Sequence, residues 1–178
     1  MQENDFMTGL IQIYTGNGKG KTTAAFGLAM RASGRGLKVM IIQFMKQGNA
    51  YGEYFTAEKI DNIEIKSFGR STFVSYENPD NIDVDLAVQG LEFAKKVLAG
   101  AQYDLVILDE VLVALMFKLI PLNCLIELLK NKHEKVEVVL TGRGAPKTII
   151  DMADLVSEIG EIKHPYTQGI HSRKGIDL

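Results

Sequence analysis

Thr15–Thr23, reading TGNGKGKTT, lies between a short apolar run, Leu10–Tyr14, and a helix-forming run, Thr22–Arg31. A strand, a glycine-rich turn and a helix in that order form a phosphate cradle. Glycine lets the backbone turn tightly and approach an anion with no Cβ in the way. The first amides of the helix lack intrahelical partners and point at that anion, with the positive end of the helix dipole behind them. Lys21 adds a mobile positive charge for phosphate oxygens, and Thr22 offers a hydroxyl to magnesium. Gly16, Asn17, Gly18, Lys19, Gly20, Lys21, Thr22 and Thr23 are therefore the expected contacts of a nucleoside triphosphate. One departure from the usual pattern stands out. The common cradle has a glycine where this chain has Thr15, and the first glycine, Gly16, comes one residue late. The loop is tighter than the common one, so the phosphates are expected to be held in a different sense.

Working outward, the pattern alternates strands and helices. Val39–Phe44 is nearly all apolar, as befits a parallel strand buried on both faces. Glu53–Lys59 reads as a short helix and Ile63–Phe68 as a strand. Gly69–Asp83 is irregular, and Asp83 then caps an amphipathic helix whose face is Val84, Ala87, Val88, Leu91, Ala94 and Leu98. Tyr103–Asp109 is a third buried strand, followed by an apolar helix and another that Pro121 starts. Glu137–Thr141 is a strand, Pro146–Met152 a short helix and Leu155–Ile159 the last strand. The spacing predicts a single α/β domain over 1–178: a P-loop NTPase-like three-layer sandwich, with a mostly parallel sheet and helices on both faces. Residues 1–9 read as a loose N-terminal arm and 163–178 as a polar tail with no clear period. On such sheets ligands sit beyond the carboxyl ends of the strands. The cradle, Asp109-Glu110, the loop after Phe44 and the Thr141–Gly144 turn should share one rim.

Composition narrows the function classes. With 46% hydrophobic and 24% charged residues the chain is an ordinary globular one, and a net charge of −2 offers no broad attraction for nucleic acid. Cys124, the single cysteine, excludes an internal disulfide and a cysteine-based zinc site; its apolar neighbours suggest a buried, inert thiol. The polar, acidic start is unlike a signal peptide, and no apolar run approaches membrane-spanning length. A cytoplasmic location, with no membrane partner, is the expectation.

Asp109 and Glu110 end an apolar strand, where a P-loop protein places its magnesium-side carboxylate. The competing reading is that they cap the following helix. Arg143, on a glycine-flanked turn, serves either as an anion ligand or as a plain turn charge, and Lys19 either touches phosphate or is a solvated surface lysine. His133, His164 and His171 lack the paired spacing of a metal site and read as surface or tail histidines. Phe68, Phe73 and Tyr76 either line a pocket for a large flat ligand or pack the loop onto its own domain.

Several words of the chain together carry a more specific resemblance. TGNGKGKTTAAFGLAMRASGRG, QFMK, LVILDE, VVLTGRGAP, ADLVSEI and KHPYTQGIHSRKGID occur in that order from Leu10 to Asp177. In this the chain resembles the ATP:corrinoid adenosyltransferases of the CobA/CobO/BtuR type. That resemblance implies transfer of the 5′-deoxyadenosyl group of ATP to the cobalt(I) of cobalamin or a related corrinoid, with release of triphosphate. It implies catalytic roles for Lys21, Thr22 and Glu110, with Thr22 and Glu110 holding Mg2+ and Asp109 beside them. It also implies a reversed nucleotide, a corrinoid over the rim near Lys46 and the Gly69–Asp80 loop, a homodimer, and a cellular reductant such as a flavoprotein. Two departures are plain. Members of the family carry a Phe-Thr-Trp word in the corrin-facing loop, whereas this chain reads GRSTFVSYENP and has no Trp, so that Phe73 is the best match. The N-terminal extension of longer members is reduced here to about nine residues before the first strand. Two other function classes compete: a kinase or NTPase acting on the γ-phosphate, and an ATP-gated corrinoid carrier.

Overall fold

The computed structural model describes residues 8–48 and 51–177. Six parallel strands form the sheet: β1 (Ile11–Thr15), β2 (Val39–Phe44), β3 (Ile63–Phe68), β4 (Leu105–Asp109), β5 (Glu137–Thr141) and β6 (Leu155–Glu158). Their spatial order is β3-β2-β4-β5-β1-β6. Every residue of β2 and β4 is buried, which accounts for their continuous apolar sequences. β6, at one edge, is exposed along its whole length.

Alternation along the central strands divides the core into two layers. Val39 and Ile41 of β2 face one side, where Leu105, Ile107 and Val139 meet α1 (Lys21–Ser33). The contact face of α1 is Ala25, Ala29 and Ala32, small enough to bring the helix close to the sheet. Met40, Ile42 and Phe44 face the other side, joining Val106, Leu108 and Leu140 beneath α3 (Asn81–Gly100), α4 (Val111–Met116) and α5 (Leu122–Lys130). Two short helices, α2 (Gly52–Ala57) and α6 (Lys147–Ile150), complete the connections.

Some local expectations shift. α3 starts at Asn81 with Asp80 at its N-cap position, so Asp83 is not the cap. Asp83 is instead buried in the first turn and receives two hydrogen bonds from Arg70, from Nε at 2.7 Å and from Nη2 at 2.6 Å. A carboxylate three residues into a helix is free for this use because the loop before it brings a guanidinium alongside. Val88 is 42% exposed, and Gly90 and Val97 join the buried face in its place. Cys124 is half-buried at the edge of the core. Of the expected N-terminal arm, residues 1–7 lie outside the described residues, while Gly9 is fixed by its N–H to the Glu134 carbonyl at 2.7 Å. The tail forms a 3-10 turn, Pro165–Gln168, and folds back towards the cradle.

α3 lies on the sheet through Gly90. A Cβ there would come within 3.0 Å of Phe44 and 3.1 Å of Phe68, both buried ring systems. Gly90→Leu should therefore overpack this contact and lower stability by roughly 1–3 kcal/mol, read as a shift of the urea midpoint at unchanged slope.

Tyr103, just before β4, carries a second test. Burial and a hydrogen bond with Glu64 push its phenol from 10.0 up to about 12. The folded chain then keeps a proton that the unfolded chain releases above pH 10, so stability should fall as pH rises from about 10 to about 12. Tyr103→Phe should flatten that loss, as measured by denaturant unfolding across the alkaline range.

Candidate nucleotide-binding site

β1 ends in Thr15, and the chain turns at Gly16 with φ 98°. The turn is pressed against distant backbone: a Cβ on Gly16 would lie 2.4 Å from the Ile159 carbonyl oxygen, and one on Gly18 would lie 2.5 Å from that of Gly160. The Gly18 N–H donates to the Ile159 carbonyl at 2.8 Å. The late first glycine of the cradle thus has a local cause. Thr15 remains paired with Glu158 of β6, and space for a side chain runs out one residue later. α1 begins at once after Gly20, and Ala24 N–H is bonded to the Gly20 carbonyl. The amides of its first turn face the cleft with no carbonyl inside the helix to accept them.

Lys21 is 7% exposed and folds over its own loop, donating to the carbonyls of Gly16 at 2.8 Å and Gly18 at 2.7 Å. Burial lowers its pKa, Arg143 and Lys46 add to the effect, and Glu110 and Glu161 oppose it. An anion in the cradle would offer this ammonium better acceptors than two neutral carbonyls.

Opposite the cradle stands Asp109, fully buried at the end of β4. β5 lies between β1 and β4, so Thr141 at its end sits between the cradle and Asp109. Its hydroxyl donates to Asp109 Oδ1 at 2.8 Å and accepts the Glu110 N–H at 2.9 Å. The Thr22 hydroxyl donates to the same Oδ1 at 2.9 Å. Oδ2 receives Lys46 Nζ at 2.7 Å and, at 3.4 Å, the Gln43 amide. Lys46 Nζ also donates to Thr22 Oγ1 at 3.2 Å and lies 4.0 Å from Glu110 Oε1. Burial opposes the charge on Lys46, but Asp109 and Glu110 together hold its pKa above the ordinary value. Burial, reinforced by Asp109, raises the pKa of Glu110 against the pull of Lys46, Lys21 and Arg143.

Two residues flanking this cluster, Met45 with φ 59° and Glu110 with φ 61°, adopt the left-handed conformation that side chains disfavour. Such strain persists only where surrounding contacts enforce it, and it collects at working sites.

The resulting cleft has a volume of about 630 Å³, within the usual range for small-molecule sites. Asn17–Thr23 form its floor, Glu110 and Arg143 one flank, Lys46 and Tyr51 another. The fourth wall is the tail, with His164, Tyr166 and His171. Lys19, half-exposed, forms an ion pair with Asp177 and donates to the Ile176 carbonyl at 3.2 Å. Arg173 Nε holds the other Asp177 oxygen at 2.9 Å, so Lys19 ties the cradle to an ion pair within the tail. Among the described residues, no group of three or more His, Cys, Asp or Glu is arranged to hold a metal. No helix of the described residues is long and apolar enough to cross a membrane.

The structure therefore brings together the cradle residues, Glu110 and Arg143 along the cleft, with Asp109 beneath. Phe73 is apart: it is fully exposed and does not line the cleft. Tyr76 meets Phe117 edge-on at 5.2 Å, and Phe68 is buried against Phe93 at 5.7 Å. Lys46, Thr141 and the tail histidines were not singled out for the nucleotide site by sequence. The QFMK word contains Lys46, but nothing in its spacing aims the side chain at Asp109.

Comparison with known proteins agrees with this geometry. The chain is similar to the corrinoid adenosyltransferase of Escherichia coli K12, at 36% identity over 169 residues covering 95% of this chain and 85% of the relative. It is equally similar to that of a Sinorhizobium species, at 36% over 172 residues, 96% and 80%. A KaiC-like protein from Pyrococcus horikoshii, 18% identical, shares the fold with a TM-score of 0.59 over 86% of this chain and 73% of that one. Residues 7–178 match the family described as ATP:corrinoid adenosyltransferase BtuR/CobO/CobP, and the chain belongs to that family.

Proposed function

We propose that the protein transfers the 5′-deoxyadenosyl group of ATP to the cobalt(I) of a corrinoid and releases triphosphate. The observation that carries this reading is that the cradle, the Asp109–Glu110 carboxylates and the tail line or underlie one cleft in a chain of this family. The family match and the relatives do not favour a γ-phosphate kinase or a carrier.

In the reaction the cobalt(I) electron pair forms a bond to the ribose C5′, and the C5′–O bond breaks with its electrons going to the triphosphate. The nucleophile arrives activated, so no protein base is needed. The protein's work is to hold ATP with C5′ exposed and to stabilise charge gathering on the leaving group. The first-turn amides of α1, Lys21 and Arg143 are placed for that, with Gly16, Asn17, Gly18 and Gly20 shaping the turn and Thr23 completing the first turn of the helix. Lys21 exchanges the Gly16 and Gly18 carbonyls for phosphate oxygens when ATP binds. Lys19 is held by the tail and contributes its charge at the rim.

Magnesium suits the oxygen donors between the cradle and β4. Thr22 and Glu110 would hold it, with Asp109 orienting the Thr22 hydroxyl, and phosphate oxygens would complete the shell. When bound, the ion withdraws negative charge from the triphosphate. The ammonium of Lys46 at Thr22 and Asp109 marks the same position as one that favours positive charge.

The corrinoid is placed over the rim beside the loop between β3 and α3, where the exposed ring of Phe73 offers an apolar surface. Crowding the lower axial ligand there would make cobalt(II) easier to reduce. A cellular reductant, a homodimer and a cytoplasmic setting complete the proposal.

Anaerobic incubation with ATP, magnesium and reduced cobalamin should yield triphosphate and an alkyl-cobalt species that light destroys. ADP formation would instead identify a phosphotransferase or ATPase, and no turnover a carrier. Lys21→Ala should lower kcat/KM by roughly three orders of magnitude or more, as expected when a preorganised charge on a leaving group is lost. Phe73→Ala should slow cobalt(II) reduction while leaving ATP affinity unchanged, as followed by the absorbance of the reduced corrinoid and by calorimetry.

A further inference from the structure

The ammonium of Lys46 stands on Asp109 and beside Thr22 and Glu110, the two residues to which the proposed function gives a divalent cation. It is 2.7 Å from Asp109 Oδ2, 3.2 Å from Thr22 Oγ1 and 4.0 Å from Glu110 Oε1, on a side chain only 13% exposed. The turn at Met45, in its left-handed conformation, directs the lysine back over the end of the sheet. The ring of Tyr51, 5.2 Å from the ammonium, closes the outer side. Two adjacent carboxylates, one of them fully buried, are costly to keep charged with no cation beside them. A divalent ion and an ammonium cannot share the same few oxygens, because their mutual repulsion in so buried a place is large.

We infer that Lys46 is the resident counter-cation of the metal position: it neutralises Asp109 and Glu110 while no nucleotide is bound, and it yields the place to a divalent ion only when that ion arrives with ATP. The flexible four-carbon stem lets the ammonium move while its backbone stays fixed. A triphosphate above the cradle supplies new acceptors within reach of that stem, so the lysine leaves one anionic partner for another. Without the triphosphate it has no such acceptor, and divalent ions are kept out. Metal binding is thereby made conditional on nucleotide.

The inference rests on Thr22 and Glu110 being the metal ligands, and the experiment separates the two ideas. Nucleotide-free protein is titrated with Mn2+, and the free ion is followed by electron paramagnetic resonance. Wild type should bind weakly, and Lys46→Met about tenfold or more tightly, since a competing charge has been removed. Lys46→Arg, which keeps the charge, should remain near wild type. Should Lys46→Met fail to fold, Lys46→Gln, which retains donors for Asp109 but no charge, carries the same expectation. Equal Mn2+ affinity in wild type and the uncharged variant overturns the inference, as does equally tight binding by Lys46→Arg. Wild type is assayed alongside for the light-sensitive alkyl-cobalt product with ATP and magnesium. Product formation with unchanged Mn2+ affinities sinks the inference alone; no product sinks the proposed function and the inference with it.

Discussion

A carboxylate with no access to solvent holds the working end of this molecule together. Asp109 closes β4, and each partner of its two oxygens comes from a different part of the chain: Thr22 from α1, Thr141 from β5, Lys46 and Gln43 from β2 and the turn after it. An ionised group in such a place is tolerable only when its lone pairs are met and its charge is balanced. Meeting that demand fixes the distance between the cradle and the strand ends opposite. The cleft is therefore preorganised by a buried charge that lies beneath it.

The sheet was largely legible in the sequence, because strands buried on both faces are written as uninterrupted apolar runs such as VMIIQF and LVILD. The cradle was legible for another reason: glycines and a lysine at fixed offsets have few other uses between a strand and a helix. What was not legible depended on spatial order. β5 and not β1 neighbours β4, so Thr141 reaches Asp109, and no local pattern announces that. Lys46 looked like one more rim lysine, since its direction is set by the backbone at Met45 rather than by its neighbours in sequence. The tail has no hydrophobic period to read; its placement comes from Asp177 shared between Lys19 and Arg173. Asp83 misled for a related reason. Its composition suits a cap, but a guanidinium held in the preceding loop takes it first.

The cleft and the loop between β3 and α3 are built on different physics. The cleft floor is made of helix N-terminal amides over buried charge. The loop between β3 and α3, outside the cleft, is tied down where Arg70 binds Asp83 and, beside it, Asp80, and where Tyr76 meets Phe117, with Phe73 bare on its surface. Under the proposed function, a protein that grips a small, highly charged group and also accepts a broad macrocycle is served by such a division. Rigidity is spent where charge develops, and adaptability is left where shape must be met.

The contact of Gly16 and Gly18 with Ile159 and Gly160 makes the shape of one turn depend on a distant part of the chain. The glycine loop is braced by backbone that follows the last strand of the sheet, more than a hundred residues later in the chain. Without β6 and the residues after it, the glycine-rich loop would lack that brace. The shape of the glycine turn is thus tied to the docking of β6 beside β1, so the two segments order together.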